Sequence, residues 1–470
     1  MAFLPSKKWQ VFSVVAMGVF MSTLDSSMIN IALPAIMKEF HSSLAVTQWV
    51  VQIYLLTITV SLLFWGHLGD RLGRNRIYPA GMLLFGVCSL VCSLATQIYW
   101  LIIWRFGQGL GAAMMMATGP ALIKEIFPPG RLGRSLGLIG VAVSAGLMAG
   151  PSLGGFLVEY FSWRSLFFVT APLGLLYAVL ATLVLPKTPA ASLRKFDLAG
   201  SSTWAVGIAC VTLALSLRAT GALLLLGLGL FSIILFLRHE ARTAQPILPV
   251  ALFRKRFFST AVLSSMLSFA VLYAVIILIP FFLDRVQGLT ATRIGMIMLA
   301  IPLAALMVGP PAGWLSDYIG ARLLTTLGFL ISTAGLLFLT GLTAETPPLS
   351  VALRLAFLGC GQAMFLSPNS ASVLKRVGNH QAGISAGLLA TARNLGMLLG
   401  VAQAGFVFAY FYARHTGGLD LKDFTPDHIQ PFLTALRASF LSTAAIGLCG
   451  VFASWQRGPT RQDDNPDPES

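Results

Sequence analysis

The sequence predicts an all-α integral membrane protein built from two repeated halves. Of its 470 residues, 56% are hydrophobic and 10% are charged, whereas a soluble globular domain has about 25% charged residues. Apolar runs follow one another with short polar breaks between them, and each is close to the roughly 20 residues that a helical span requires. Two sequence patterns also recur in the second half of the chain, at offsets of 247 and 250 residues.

Counting the apolar runs predicts 14 transmembrane spans. They cover residues 11–33, 45–66, 77–96, 99–123, 135–157, 164–185, 198–217, 221–238, 257–283, 293–313, 323–342, 350–371, 383–411 and 432–454. Six spans belong to each half, so residues 1–185 form an N-terminal six-helix bundle and residues 257–470 form a C-terminal bundle with a cytoplasmic tail. The runs 198–217 and 221–238 are left over, and we interpret residues 186–256 as a linker with two inserted helices that pack peripherally.

The distribution of Lys and Arg predicts the orientation of the chain. An even number of spans places both termini on one side of the membrane. With the termini in the cytoplasm, the inner segments hold 21 of the 32 Lys and Arg residues and the outer segments hold nine, which is the excess that cytoplasmic loops show. We therefore expect a plasma (cell inner) membrane protein with both termini cytoplasmic. The first apolar run resembles a signal peptide, but Asp25 interrupts it, so we interpret it as a retained span.

The two recurring patterns predict two homologous halves. The segment Gly66–Gly73, Gly-His-Leu-Gly-Asp-Arg-Leu-Gly, recurs as Gly313–Gly320, Gly-Trp-Leu-Ser-Asp-Tyr-Ile-Gly. A second pattern of small residues between Gly133 and Gly150 recurs between Gly383 and Gly400. Halves repeated in parallel orientation are a common plan of transporters that close around a site near the bilayer midplane.

Composition and missing motifs argue against other classes of protein. The formal net charge of +15 is spread over short loops, so it explains the basic isoelectric point without nucleic acid as a partner. The cysteines lie in apolar runs without metal-ligand spacing, and we expect no metal; they are Cys88, Cys92, Cys210, Cys360 and Cys449. The sequence contains no phosphate-binding loop and no hydrolase or zinc-protease motif, so we predict neither an enzyme nor direct drive by ATP.

The loop after the second span resembles the cytoplasmic signature of the major facilitator superfamily. It reads Gly66-His-Leu-Gly69-Asp70-Arg71-Leu-Gly73-Arg74-Asn-Arg76, and Asp317 repeats the acid in the second half. Glycines allow a tight turn between helix ends, and an acid beside several bases can form ion pairs that break and re-form. We predict a cytoplasmic gate here; the alternative is an ordinary basic loop.

Three further stretches resemble the fourteen-span drug:proton antiporter branch of that family. They are Leu24-Asp25-Ser-Ser-Met-Ile-Asn30-Ile-Ala-Leu-Pro34, Arg105-Phe-Gly-Gln108-Gly109, and Gly140 through Gly155 with Gly146-Leu-Met-Ala-Gly150-Pro151-Ser-Leu-Gly154-Gly155. The resemblance covers nearly the whole chain. It implies two pseudo-symmetric six-helix bundles plus two extra helices, and a proton-coupled antiporter that exports small lipophilic molecules by alternating access. The proton is then the coupling ion, and no cofactor is needed. The sequence does not give the oligomeric state, and our default expectation is a monomer.

Asp25 is the main candidate for proton coupling, because an ionisable group in hydrocarbon costs several kcal/mol and is seldom kept without use. Arg105 stays protonated, so we interpret it as a partner of Asp25 or of a water network. Glu159, at the end of a span, is a weaker candidate for proton uptake. The structural alternatives are a carboxylate paired permanently to another helix and a static arginine.

The remaining candidates are a substrate cavity and a seam between the halves. We predict a cavity lined by Ser22, Asp25, Ser26, Asn30, Gln108, Met115, Met116 and Arg393, although Met residues more often face lipid or core.

Gly146, Gly150, Pro151 and Gly154 place small residues on one helix face, which predicts either a tight seam between the halves or simple packing. No partner for Arg393 can be named from the sequence. Both membrane arginines favour the second hypothesis, export of an endogenous lipid or anionic metabolite; a non-transporting receptor or scaffold is the alternative from another class.

Overall fold

The computed structural model describes residues 7–127, 129–186, 197–216, 221–243, 250–377 and 382–457. Within these ranges the secondary structure is helical and contains no strand. The helices are α1 (Lys7–Phe40), α2 (Leu44–Leu72), α3 (Arg74–Ser93), α4 (Ile98–Ile126), α5 (Pro129–Tyr160), α6 (Arg164–Val184), α7 (Leu198–Ser216), α8 (Ala222–Glu240), α9 (Val250–Arg254), α10 (Arg256–Arg285), α11 (Ala291–Met298), α12 (Ala300–Ile319), α13 (Ala321–Thr340), α14 (Pro348–Arg376), α15 (Ala382–His415) and α16 (Ile429–Trp455). Two short 3₁₀ turns, Leu421–Asp423 and Pro426–His428, precede α16.

Thirteen helical segments of the described chain are long and apolar enough to cross a membrane. The predicted span 99–123 is not among them, although it forms the 29-residue helix α4. Arg105 and Gln108 lie within α4 and lower its mean hydropathy. The multi-pass helical architecture is therefore confirmed, and the count of 14 spans stays a prediction.

One predicted span contains a break. Residues 293–313 are covered by α11 and α12, which meet at Leu299. Pro302 follows in the first turn of α12, and a proline has no N–H to donate to the carbonyl four residues earlier. The break therefore lies where the regular hydrogen-bond ladder loses a donor.

Helix packing repeats between the two halves, as the sequence patterns predict. In the first half the main pairs are α1–α5, α2–α4, α3–α4 and α3–α6. In the second half they are α10–α15, α12–α14, α13–α14 and α13–α16, which are the equivalent helices when α11 and α12 count as one span. The glycines that follow α2 and α12 also have equivalent backbone conformations, since the φ angles of Gly73 and Gly320 are both positive, 97° and 86°.

The inserted hairpin lies against both bundles. Helices α7 and α8 pack on each other, and α7 also contacts α2 and α15. Trp204 of α7 donates its indole N–H to the Thr59 carbonyl of α2 at 3.2 Å, and Ser216 donates to Oε1 of Gln52 at 3.0 Å. The hairpin covers the line where α2 and α15 meet. The boundaries at residues 185 and 257 remain predictions.

The two bundles touch at one end of the molecule and part at the other. Within the described chain, Lys7 and Arg457 lie at the ends of spans on one face, which we call the termini face. On the opposite face Gly405 of α15 lies against the side chain of Gln48 on α2. Gly66 of α2 and Gly387 of α15 lie eighteen residues, or five full turns, from Gln48 and Gly405 in the direction of the termini face. They therefore point in the same directions as Gln48 and Gly405. Nothing lies within 4 Å of a Cβ built on either glycine. The cleft between α2 and α15 thus opens toward the termini face.

Candidate functional site

A buried ion pair joins α1 to α4. Arg105 Nη1 donates to Oδ2 of Asp25 at 2.5 Å, and the two side chains are 0% and 2% exposed. Gln108 Nε2 donates to the other carboxylate oxygen, Oδ1, at 3.0 Å. Both oxygens of the carboxylate therefore have a donor, as a charge in a low-dielectric interior requires.

Arg105 is held by more than Asp25. Its Nη1 also donates to Oε1 of Gln108 at 2.6 Å, and its Nε donates to the Val50 carbonyl of α2 at 2.9 Å. The guanidinium lies over the ring of Tyr54, with its carbon 4.2 Å from the centroid. Nη2 is buried and has no hydrogen-bond partner among the residues that the structure describes. The arginine thus fastens α4 to both α1 and α2.

The polar contacts extend from this pair to α3 and α6. Gln108 Nε2 donates to Oγ of Ser89 on α3 at 2.7 Å, and Thr170 Oγ1 of α6 donates to the same Ser89 oxygen at 3.3 Å. All three side chains are buried. A change of charge at Asp25 is therefore connected through hydrogen bonds to four helices of the first bundle.

One contact beside Asp25 crosses to the second bundle. The hydroxyl oxygens of Ser26 on α1 and Tyr273 on α10 are 3.5 Å apart, and both residues are buried. Asn30, one turn further along α1, donates to the Ser26 carbonyl at 2.7 Å, while its Oδ1 is buried without a partner in the described ranges. Position 25 thus lies next to the contact between the bundles.

The other predicted cavity residues are placed differently. Ser22 is buried beneath Tyr54, whose hydroxyl donates to the Ser22 carbonyl at 3.2 Å. Met115 is buried where α4 meets Gly18 of α1, and Met116 is half-buried. Arg393 belongs to the second bundle, where its Nε donates to the Leu389 carbonyl of its own helix at 3.3 Å. The structure therefore joins Asp25, Arg105 and Gln108 and leaves Arg393 apart from them.

The predicted gate contains an ion-pair bridge. Asp70 Oδ1 accepts from Nε and Nη2 of Arg74 at 2.9 and 2.6 Å, and Nη1 of Arg74 donates to Oε1 of Glu125 on α4 at 2.5 Å. This bridge ties the end of α2 and the start of α3 to the end of α4. Arg71 and Arg76 are exposed, and Gly66 and Gly69 lie on the last turns of α2. The side chain of Asp317 falls outside the described residues.

The glycine stripe of α5 faces its own bundle. A Cβ on Gly146, Gly150 or Gly154 would meet Thr23, Ser27 or Met28 of α1. Contact with the other bundle is made beside the stripe, where the Pro151 carbonyl faces Gly295 of α11 and Gly155 faces the Ala291 carbonyl. The stripe itself packs on α1 within its own bundle, and among the predicted seam residues Pro151 contacts the second half through its carbonyl.

Glu159 links the bundles on the face opposite the termini. Its Oε2 accepts from the backbone N–H of Thr292, in the first turn of α11, at 2.8 Å. A carboxylate at a helix N-terminus satisfies a free donor there and is favoured by the helix dipole. Glu159 is exposed, so the contact can be reached by water.

Sequence reasoning missed Tyr54, Ser89, Thr170, Tyr273 and Glu125. The first four are polar residues within apolar runs, and nothing in their spacing indicates that they meet Asp25, Arg105 or Ser26. Glu125 offers a signal, because an acid one turn from the end of a span opposite a basic loop is a candidate ion-pair partner.

Two similar helical bundles with a buried ion pair beside their contact have the architecture of a membrane transporter. The model of the Major Facilitator Superfamily matches residues 15–401 and 261–469. The chain belongs to that family and is a transporter, not an enzyme.

Several characterised proteins are similar over most of their length. The riboflavin transporter RibZ of Clostridioides difficile is 33% identical over 449 residues, covering 95% of this chain and 96% of that protein. The multidrug resistance protein Stp of Mycobacterium tuberculosis is 31% identical over 435 residues, covering 91% and 81%. The tetracenomycin C resistance and export protein of Streptomyces glaucescens is 30% identical over 419 residues, covering 86% and 77%.

Solved structures share the fold. A bacterial homologue of the human lysosomal transporter Spinster, in an inward-facing and unoccupied conformation, superposes with a TM-score of 0.72 at 16% identity and covers 99% of this chain and 100% of that one. A D-xylose–proton symporter superposes with a TM-score of 0.68 at 14% identity, covering 97% and 99%.

Proposed function

We propose that this protein is a proton-coupled antiporter that exports small lipophilic molecules from the cell by alternating access. It acts as a monomer in the cell inner membrane with both termini in the cytoplasm. The observation that carries the proposal is the buried Asp25–Arg105 pair beside the contact between the bundles. The relatives described as multidrug resistance and export proteins support the direction and the substrate class.

Protonation of Asp25 changes what holds α1 in place. As a carboxylate, Asp25 accepts from Arg105 and from Gln108. A neutral carboxyl group attracts the guanidinium far less, while Arg105 keeps its bonds to Gln108 and to the Val50 carbonyl. The charge of Arg105 is thus retained on α4 and α2, and α1 is released from it.

The released helix is one of those that contact the second bundle. Ser26, the next residue after Asp25, lies against Tyr273 of α10. A rotation or shift of α1 therefore changes the contact between the bundles directly. In this mechanism a proton taken up at Asp25 and a substrate bound in the cleft favour opposite orientations of the bundles, so the proton gradient drives export.

The direct test uses purified protein in proteoliposomes with an imposed pH gradient and ethidium as a lipophilic probe. We expect Asp25→Asn to abolish the gradient-driven movement of ethidium, because an amide cannot exchange a proton. The matched control is Asp427→Asn, an exposed acid in the loop before α16, which should transport as the unaltered protein does. Full gradient-driven exchange by Asp25→Asn would overturn the proposal.

A second candidate function is export of an anionic metabolite or an endogenous lipid. The observation that favours it is Arg393, an arginine within a membrane helix whose one hydrogen bond in the described chain goes to its own backbone. Replacing ethidium by an organic anion in the same assay distinguishes the two candidates.

A further inference from the structure

Arg393 is a cation within α15 that has no acidic partner in the part of the chain that the structure describes. Its guanidinium makes one long hydrogen bond, 3.3 Å from Nε to the Leu389 carbonyl, and the side chain is partly exposed. Between residues 257 and 457, the acids of the second half are at helix ends or in loops: Asp284, Asp317, Glu345, Asp420, Asp423 and Asp427. An unpaired cation at membrane depth is costly, and such groups usually face a water-filled cavity and mark a pathway.

The contacts of α15 show where Arg393 points. Gly400 faces Ala270 of α10, and Gly405 faces Gln48 of α2. An α-helix turns 100° per residue, so the seven residues from Gly400 back to Arg393 bring the two side-chain directions to within about 20° of each other. The remaining 20° turn Arg393 away from α10 and toward α2. Ala390 and Met397 lie on the face of α15 between the direction of α10 and the direction of α2. Both residues are partly exposed, as Arg393 is. The arginine therefore lies where the α10 contact borders the cleft, and its partial exposure places the side chain at the α10 edge of that cleft.

A second donor lies beside it. Asn394 points toward α2, in the same direction as Gly405, is 5% exposed, and has an Nδ2 without an acceptor in the described ranges. Met397, one turn along the helix from Arg393, supplies an apolar wall. The group thus combines unpaired N–H donors, one positive charge and an apolar surface, which suits an organic anion with an apolar body.

The depth of this group separates it from the ion pair. Gly400 lies opposite Ala270, so Arg393 lies opposite position 263 of α10, ten residues before Tyr273. At 1.5 Å per residue it is about 15 Å closer to the termini face than the Ser26–Tyr273 contact. This is the side on which the cleft between α2 and α15 is open. The Asp25–Arg105 pair has no net charge, so Arg393 gives this part of the cleft a positive potential.

We propose that Arg393, with Asn394 beside it, binds the carboxylate or phosphate group of an amphiphilic organic anion in the cleft, which makes such anions a further substrate class of the transporter beside the lipophilic molecules proposed above. The inference rests on the proposed transport function but concerns binding and not proton coupling. Arg is suited to this role because its planar fork of donors matches two oxygens of such a group.

The test measures equilibrium binding to the full chain in nanodiscs of phosphatidylcholine, without a gradient. The probes share one ring system and differ in charge: 1-naphthaleneacetate, 1-naphthaleneethanol and 1-naphthalenemethylammonium. Empty nanodiscs give the background partitioning of each probe. We expect the acetate to bind most tightly, and Arg393→Gln to weaken it by about tenfold or more, as loss of a hydrogen bond to a charged group implies. Binding of the alcohol and the ammonium should not weaken.

Two variants guard against loss of folding or a general charge effect. Arg393→Lys keeps the charge but loses the fork, and should retain part of the preference for the acetate. Arg414→Gln removes an exposed cation from the last turn of the same helix and should bind all three probes as the unaltered protein does. The inference is overturned if the acetate binds no tighter than the alcohol, or if Arg393→Gln binds it unchanged. It is equally overturned if Arg414→Gln loses the same affinity.

Adding phosphatidylglycerol to the nanodiscs distinguishes the source of the anion. Competition with the acetate indicates a lipid headgroup, and absence of competition indicates a soluble organic anion; both outcomes support the site. Because no gradient is used, Asp25→Asn should still bind the acetate. Failure of proton coupling and failure of anion binding are therefore separate results.

Discussion

Arg105 and Arg393 both lie within membrane helices, but their surroundings indicate different roles. Arg105 is fully buried, with a carboxylate, a glutamine, a backbone carbonyl and an aromatic ring around it. Arg393 is partly exposed and bonds to its own helix. A cation whose charge is already neutralised holds helices together, whereas one without a partner can attract a mobile anion.

The coupling within the Asp25–Arg105 pair can be measured by a double-mutant cycle. Arg105→Gln leaves the Asp25 carboxylate buried without its cation, and such a loss costs about 3–5 kcal/mol in other proteins. Asp25→Asn leaves Arg105 unpaired in the same way. We expect the loss of unfolding free energy in the double variant to be smaller than the sum of the losses in the two single variants, with a coupling energy of about 1–3 kcal/mol. Thermal unfolding of the detergent-purified protein measures these losses.

The same cycle separates this role from a general effect of removing charge. Combining Arg354→Gln, at a partly exposed arginine of α14 that bonds to a backbone carbonyl, with Asp25→Asn should give additive changes. Additive changes for Arg105→Gln with Asp25→Asn would show that the pair is not an energetic unit, and the account of how protonation releases α1 would then be wrong.

At the scale of helices, Arg74 at the start of α3 bridges the end of α2 to the end of α4. The bridge runs from Asp70 through Arg74 to Glu125, and its members are partly exposed. Exposed ion pairs contribute about 0–1 kcal/mol, which is suited to a contact that forms and breaks in every cycle. The bridge lies on the termini face, where the cleft between α2 and α15 is open in this structure.

We expect Asp70→Asn to slow transport by about two- to fivefold with little change in substrate affinity, because it weakens an ion pair worth up to about 1 kcal/mol. Turnover in proteoliposomes and equilibrium binding, measured on the same preparation, give the two quantities. Lys124→Gln is the matched control, since Lys124 is an exposed cation next to Glu125 at the same end of α4 and forms no ion pair in the described chain. A loss of affinity without a change in turnover would contradict the gating role.

The helices and their repeat could be predicted from the sequence because both depend on local patterns. The segments Gly66–Gly73 and Gly313–Gly320 recur, and the structure gives them equivalent turns. Asp25 and Arg105 could be chosen as candidates because charge is rare in apolar runs, and their pairing was one of the alternatives the residues allowed. The direction in which a helix face points was not predictable: the stripe at Gly146, Gly150 and Gly154 requires a close neighbour but does not show that this neighbour is α1.

At the scale of the whole molecule, the contacts between the bundles are unevenly distributed. The backbone N–H of Leu44 donates to Asp420 at 3.0 Å, and Glu159 accepts from Thr292, both on the face opposite the termini. Helix α7 covers the meeting line of α2 and α15 from the side. The bundles are thus held at one face, and the opening lies at the other.

This arrangement predicts opposite distance changes at the two ends of α2 and α15 when the protein changes state. Spin labels attached after Gly66→Cys and Gly387→Cys report on the termini face, where nothing lies within 4 Å of either glycine. Labels after Ala45→Cys and Ala409→Cys report on the opposite face, where both alanines line one shallow pocket between α2 and α15. Both pairs require a background in which the five native cysteines are replaced.

We expect acidification, which supplies the proton that the proposed mechanism places on Asp25, to shorten the distance between positions 66 and 387 and lengthen the distance between positions 45 and 409. Rigid bundles that rock about a central contact cannot close at one face without parting at the other. Asp25→Asn should shift the populations in the same direction at neutral pH, because it mimics the proton-bound form; pulsed electron paramagnetic resonance measures both distances. A change at one face without the reciprocal change at the other would contradict rigid-body rocking. A response to pH that persists in Asp25→Asn would place the proton-sensitive group at another residue.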